Sequence, residues 1–313
     1  MVQIIQLMDK LTVNFCGVEF KNPLVLPSGI YAAANAYLKA YENGASGITF
    51  KSLTVHKREG NPPPRVWKNE YNVINSVGLV NSGIAKGAGE IALFKKDHRE
   101  IPLIASVYAT RFSEFSLMVE KLVPASPDLI ELNLSCPNVD DEFGKPLGME
   151  KGAAGKIVGE VKKLSGKIPL LAKLSPNVND IADIAKSCEG AGADGIVAIN
   201  TVGPGMMIDI YKKKPVLGTK KGGVSGPGIL PVAVRCVYEI FEAVKIPIIG
   251  MGGVLKWQDI VEMILAGATL VGVGSATYYK GMKVFDELNA GLTKYLADNS
   301  ISELDDLIGA AHR

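Results

Sequence analysis

Histidine and cysteine are scarce in this chain of 313 residues, which carries three of the first and four of the second. With only His56, His98 and His312 available, a His-rich metal centre is not expected. Cys16, Cys136, Cys188 and Cys236 lie far apart and form no Cys-x-x-Cys pair, so neither zinc nor a redox dithiol is indicated. Free thiols in a cytoplasmic protein are the expectation. No apolar run approaches the ~18 residues of a membrane span. Gln3, Gln6 and Asp9 interrupt the opening stretch where a signal peptide needs an apolar centre. A charge excess is missing too: 34 basic against 32 acidic residues leave +2, which advertises neither a nucleic acid nor a membrane surface. What the chain has is apolar bulk, 47% hydrophobic residues, and 34 glycines without a collagen period. Those suit a large core with many tight turns.

Eight short apolar runs punctuate the sequence, at residues 24–27, 47–50, 103–107, 129–134, 170–174, 195–200, 247–250 and 270–273. Several lack polar alternation, as parallel strands covered on both faces do. Helical periodicity is clearest at residues 181–191, 231–244 and 257–266, and the last two end near Lys245 and Gly267. Eight strands alternating with helices over about 250 residues predict an α/β fold, a (β/α)8 TIM barrel. We expect one domain over residues 1–313 with decorated loops at the C-terminal face. Residues 11–18 alternate and predict a hairpin plugging the barrel's bottom. Residues 53–81 and 202–226 read as long loops, and residues 301–313 as a terminal helix.

The strand ends carry the chemistry. Strand two runs into Lys51-Ser52, strand four into Asn133-Leu134-Ser135-Cys136-Pro137-Asn138, strand five ends at Lys173, and strand six runs into Asn200-Thr201. Buried polar groups are costly unless paired. A ring of amides, which both donate and accept, therefore suits a planar ligand rich in carbonyl and N–H groups. Lys51 and Lys173 each terminate an apolar strand, where a fixed charge meets a carboxylate or an anionic ring. Gly250-Met251-Gly252-Gly253 after strand seven and Gly274-Ser275 after strand eight occupy the frequent phosphate position of this fold. A phosphorylated substrate and a mononucleotide cofactor both satisfy that signal. Cys16, Cys188 and Cys236 read as small buried hydrophobes. Cys136, in a loop at the functional face, is a candidate general base. The lysines at 212–214 and at 220–221 read as solvated loop charges.

These motifs resemble the dihydroorotate dehydrogenases, specifically the soluble class with a cysteine base. The likeness is carried by Asn22-Pro23 through Ser28-Gly29, Lys51-Ser52, REGNPPPR at 58–65, Asn75-Ser76-Val77-Gly78-Leu79 and NLSCPN at 133–138. It continues through Lys173-Leu174-Ser175-Pro176-Asn177, Asn200-Thr201, the glycines from Gly222 to Gly226, and residues 248–253. The resemblance implies FMN at the barrel mouth, held by Ser28, Lys51, Ser52, Asn133, Lys173, Gly226, Gly252, Gly253, Gly274 and Ser275. It implies dihydroorotate stacked on the flavin, its ring on Asn75, Asn133, Asn138, Asn200 and Thr201. The substrate carboxylate then meets Lys51 and the backbone N–H groups of Val77, Gly78 and Leu79. Cys136 takes a proton from C5 while C6 delivers hydride to flavin N5, giving orotate in pyrimidine biosynthesis.

Subclass signals are mixed. After Ser28-Gly29 the chain reads Ile30-Tyr31-Ala32-Ala33-Ala34, which matches neither soluble subclass, and Ser106 stands where the NAD-linked subclass tends to carry Asn. Residues 206–209, 214–217, 222–228 and 246–254 resemble the NAD-linked subclass, and the balance leans that way. The partners implied are a homodimer and a separate iron–sulfur FAD electron-transfer subunit. Three other readings are weighed. A dihydropyrimidine dehydrogenase places its acidic cysteine beyond the strand-four motif, and no Cys lies between Cys136 and Cys188. A flavin-free barrel lyase or isomerase acting on a phosphorylated small molecule fits the glycine clusters equally well, and the amide ring and poorly basic mouth less well. A non-catalytic scaffold has no use for Cys136 or Lys173.

Overall fold

The computed structural model describes residues 10–134 and 151–313. All eight apolar runs are strands: β1 (Leu24–Leu26), β2 (Gly47–Thr49), β3 (Leu103–Val107), β4 (Leu129–Asn133), β5 (Leu170–Leu174), β6 (Gly195–Ala198), β7 (Ile248–Met251) and β8 (Leu270–Gly272). Each pairs in parallel with its neighbour in the chain, and β8 pairs with β1 to close the barrel. Every residue of these strands is buried, which is why their sequences show no alternation.

The three clearest helical stretches form helices Ile181–Gly190, Leu230–Ala243 and Trp257–Leu265. The last illustrates how sequence sets the limits. Asp259 Oδ2 accepts from the Leu255 and Lys256 N–H groups at 2.8 and 3.0 Å, capping the first turn. Ile260, Met263 and Ile264 face the core. At Gly267 φ is +119° and an added Cβ would strike the Phe241 ring, so the helix ends there.

The predicted hairpin forms from strands Val13–Phe15 and Val18–Phe20. Phe15 and Phe20 are fully buried and meet edge to face at 6.4 Å. Gly47 and Gly195, the first residues of β2 and β6, leave room for these rings: a Cβ at Gly47 would collide with Phe20, and one at Gly195 would come within 3.1 Å of Phe15. The hairpin thus stoppers the barrel at the N-terminal ends of its strands.

Two expectations are corrected. The stretches read as loops hold a four-stranded antiparallel sheet, ordered Val202–Gly205, Gly222–Ser225, Val73–Asn75, Val66–Lys68. Glycine and proline masked these strands, yet the glycines serve the sheet: a Cβ at Gly222 would meet the Asn75 carbonyl, and one at Gly223 the Thr201 hydroxyl. Residues 301–313 form two short 3-10 turns, Leu304–Leu307 and Ala310–His312, and no α-helix. Gly309, at φ +67° against the Phe241 ring, breaks the segment, and His312 stacks on Tyr238 at 3.7 Å. Among the described residues no helix is long and apolar enough to cross a membrane.

Candidate active site

At the end opposite the plug, the strand ends and the added sheet enclose a cavity of about 380 Å³, within the range of small-molecule sites. Behind its lining, against Ser28 and Lys173, lies a buried carboxylate. Glu131, in mid-β4, is 1% exposed, and its Oε2 lies 3.6 Å from the Lys173 ammonium on β5. Glu131 Oε1 accepts from Ser106 Oγ at 2.7 Å and from Ser28 Oγ at 3.2 Å, while Lys173 donates to Ser28 Oγ at 3.3 Å. Since Ser106 gives its proton to Glu131, the 2.8 Å contact between Ser52 and Ser106 has Ser52 as donor. Asn133 donates in turn to Ser52 at 3.5 Å, and Asn200 donates to Asn133 Oδ1 at 3.3 Å. Parallel register sets this up by pairing Glu131 with Ser106 and Asn133 with Lys173. The chain of bonds runs from the mouth inward and terminates on Glu131.

Lys51 behaves differently. Its backbone N–H donates to Tyr37 Oη at 2.9 Å, and that hydroxyl donates to the Tyr31 carbonyl. Its ammonium has no hydrogen bond or ion pair with any described residue. Burial, reinforced by the Lys173 charge, lowers it to about 8. Asn75, held between Gly223 and Val66 in the added sheet, likewise has no side-chain partner among the described residues. Nor do the N–H groups of Val77, Gly78 and Leu79 donate to a described backbone group. Gly78 and Leu79 both take positive φ, +77° and +57°, which turns consecutive N–H groups toward one side. A lone ammonium, an unengaged amide and three such N–H groups line the same cavity. Together they suit an anion joined to an amide-bearing ring.

Comparison with known proteins decides the family. A family profile described as "Dihydroorotate dehydrogenase" matches residues 10–296. The chain belongs to the dihydroorotate dehydrogenase family. It is 40% identical over 302 residues to a Pyrococcus abyssi protein named "Dihydroorotate dehydrogenase B (NAD(+)), catalytic subunit", covering 96% of this chain and 99% of that one. Proteins of the same name from Methanothermobacter thermautotrophicus and Brachyspira hyodysenteriae are each 39% identical, over 96% and 97% of this chain and 98% and 100% of theirs. The lean toward the NAD-linked subclass agrees with these names, and the departures at residues 30–34 and at Ser106 do not overturn it.

Of the site residues that resemblance to the dihydroorotate dehydrogenases implied, Ser28, Lys51, Ser52, Asn75, Val77, Gly78, Leu79, Asn133, Lys173, Asn200, Thr201, Gly252, Gly253, Gly274 and Ser275 line the cavity. Gly226 does not: its φ is +97°, and an added Cβ would come within about 2.9 Å of the backbone of residues 71–73, which its absence admits. Cys136 and Asn138 lie outside the described residues. Cys188 and Cys236 are buried small hydrophobes as expected, and burial pushes the Cys188 thiol up to about 12 and raises Cys236; Cys16 departs from the expectation, since it is only half-buried and its thiol, raised to about 12 mainly by burial, donates to the Asp194 carbonyl. Asn177 ties loops together, donating to the Thr201 carbonyl and accepting from Gly203 N–H. Lys221 is exposed, as expected, but stands at the cavity rim. Sequence reasoning missed Glu131 and Tyr37. A lone acid inside Leu129-Ile130-Glu131-Leu132-Asn133 was the available signal for Glu131, since it shares a strand face with Asn133.

Proposed function

We propose that this chain oxidises (S)-dihydroorotate to orotate in pyrimidine biosynthesis, as the catalytic subunit of an NAD-linked dihydroorotate dehydrogenase. The observation that carries this reading is the unpartnered, lowered Lys51 ammonium in one cavity with the unengaged N–H groups of residues 77–79. Dihydroorotate brings the carboxylate they lack. Asn75, Asn133, Asn138, Asn200 and Thr201 supply donors and acceptors for its ring amides, and holding the ring in register converts a bimolecular encounter into a local one.

The cavity also fits FMN. Apolar walls from Pro27, Ile199, Met251 and Val254 suit a flat ring system, and Ser28, Ser52 and Lys173 bring polar groups to its edge. The N–H groups of Gly253, Gly274 and Ser275 donate to no described backbone group and suit a phosphate. Bound there, FMN would supply a two-electron acceptor for the hydride that leaves C6. Cys136 takes the C5 proton as thiolate, and the substrate leaves as orotate with a C5–C6 double bond. Lys173 keeps positive charge beside the ring edge, and Lys51 fixes the carboxylate end. Gly226 acts indirectly, through the backbone it admits. Electrons then pass from a homodimer to a separate iron–sulfur flavoprotein subunit, a reading supported by the "catalytic subunit" in the relatives' name.

The test is a visible spectrum of the purified chain, repeated without oxygen after adding dihydroorotate. A flavin spectrum that bleaches is the expected result. A yellow protein that stays yellow refutes the substrate, and a protein that takes up no FMN refutes the flavoenzyme.

A further inference from the structure

Two lysines at strand ends share this cavity. Lys173 has a carboxylate 3.6 Å away, whereas Lys51 has none among the described residues. Burial first and the Lys173 charge second account for the low value at Lys51. Glu131 pairs with the other lysine. Its side chain is 2% exposed and that of Lys173 5%, so neither is screened by water. Both oxygens of the carboxylate are committed: Oε1 to the Ser106 and Ser28 hydroxyls, Oε2 to the ammonium. Ser28 closes the arrangement by accepting from Lys173 while donating to Glu131.

We infer that Glu131 is the positioning residue for Lys173: it pairs with that ammonium and aims it at the flavin edge, and leaves Lys51, which no described residue pairs, for the substrate. The inference rests on the proposed function for what Lys173 faces. It divides the two lysines by task. One is neutralised internally and serves the redox step; the other waits for a ligand anion.

Glu131→Gln tests this selectively. The glutamine carbonyl can keep the bonds from Ser106 and Ser28, so the serine–asparagine chain that reaches the substrate persists. Its NH2 then faces the Lys173 ammonium, donor against donor. Expected in the flavin-loaded protein is a loss of at least about tenfold in the rate of flavin reduction, as for a general disruption of transition-state stabilisation. The dihydroorotate dissociation constant should stay within about threefold, because Lys51 and the amides are untouched. Glu131→Asp, which keeps the charge, should recover part of the rate. Lys173→Met combined with Glu131→Gln should be no slower than Lys173→Met alone. A parent-like rate in Glu131→Gln, or rate losses that multiply in the double variant, overturns the inference.

Thermal melting of the flavin-free chain gives a reading independent of turnover. Each single variant strands one buried charge, so the double variant should melt above either single. Additive losses would mean the pair is not coupled and would overturn the inference. Failure of the unaltered protein to bleach with dihydroorotate instead overturns the proposed function, and the melting cycle still reports on the pair.

Discussion

Lys51→Met should stabilise the protein and destroy its substrate site at once. The methionine keeps the apolar stem and removes the ammonium that no described residue partners. An ordinary lysine titrates near 10.5 and this one near 8, a difference worth roughly 3 kcal/mol at about 1.4 kcal/mol per pH unit. The sign follows from proton binding. Below pH 8 the folded protein carries a charge it disfavours, so the full penalty applies at pH 7. Between pH 8 and 10.5 the folded state has released the proton while the unfolded chain retains it, so the penalty fades as pH rises. With an unfolding entropy of about 2.1 cal/mol/K per residue, roughly 3 kcal/mol raises Tm by about 5 °C in a chain this long. The assay is calorimetry of flavin-stripped protein at pH 7 and pH 10, with the gain shrinking at the higher pH. In the flavin-loaded protein, orotate at a hundred times its Kd should add about 2.7 kcal/mol of stability to the parent and almost none to the variant. An unchanged or lower Tm for the variant at pH 7 would refute the reasoning about burial. Undiminished protection by orotate would refute the assignment of the carboxylate to Lys51.

Further predictions concern the same end of the barrel. Cys136→Ala should retain flavin yet slow its reduction by about 10²-fold or more, the usual contribution of a positioned base; stopped-flow absorbance reads this directly, and an unchanged rate removes Cys136 from the reaction. Gly253→Ala forces a side chain onto φ +87° and against the Leu230 backbone nitrogen at 2.5 Å. It should cost about 1–3 kcal/mol by denaturant titration and release flavin more readily on dialysis.

Most of the barrel was legible because each strand is short, apolar and covered on both faces, so its sequence is self-announcing. Leu103–Val107 and Leu170–Leu174 match the expected bounds outright. The added sheet was not legible. Asn75 pairs with Gly223 across nearly half the chain, and Gly222 and Gly223 look like loop residues until the packing against Asn75 and Thr201 is known. Lys51 and Lys173 could be singled out as cations at strand ends, but their difference could not. It depends on Glu131, two positions before an asparagine that drew the attention, and on hydroxyls from Ser28, in the turn after β1, and Ser106, on β3. The terminal segment was misread because the left-handed turn at Gly309 answers to a ring from a distant helix.

The aromatic stopper made by Phe15 and Phe20 has a consequence for traffic. Among the described residues the base of the barrel is shut and the cavity lies at the mouth, so dihydroorotate should arrive and orotate depart at that end. Orotate left in place should block the next molecule of dihydroorotate, and its inhibition should be competitive with that substrate. Turnover is then paced by how quickly the occupant clears the threshold as well as by the hydride step.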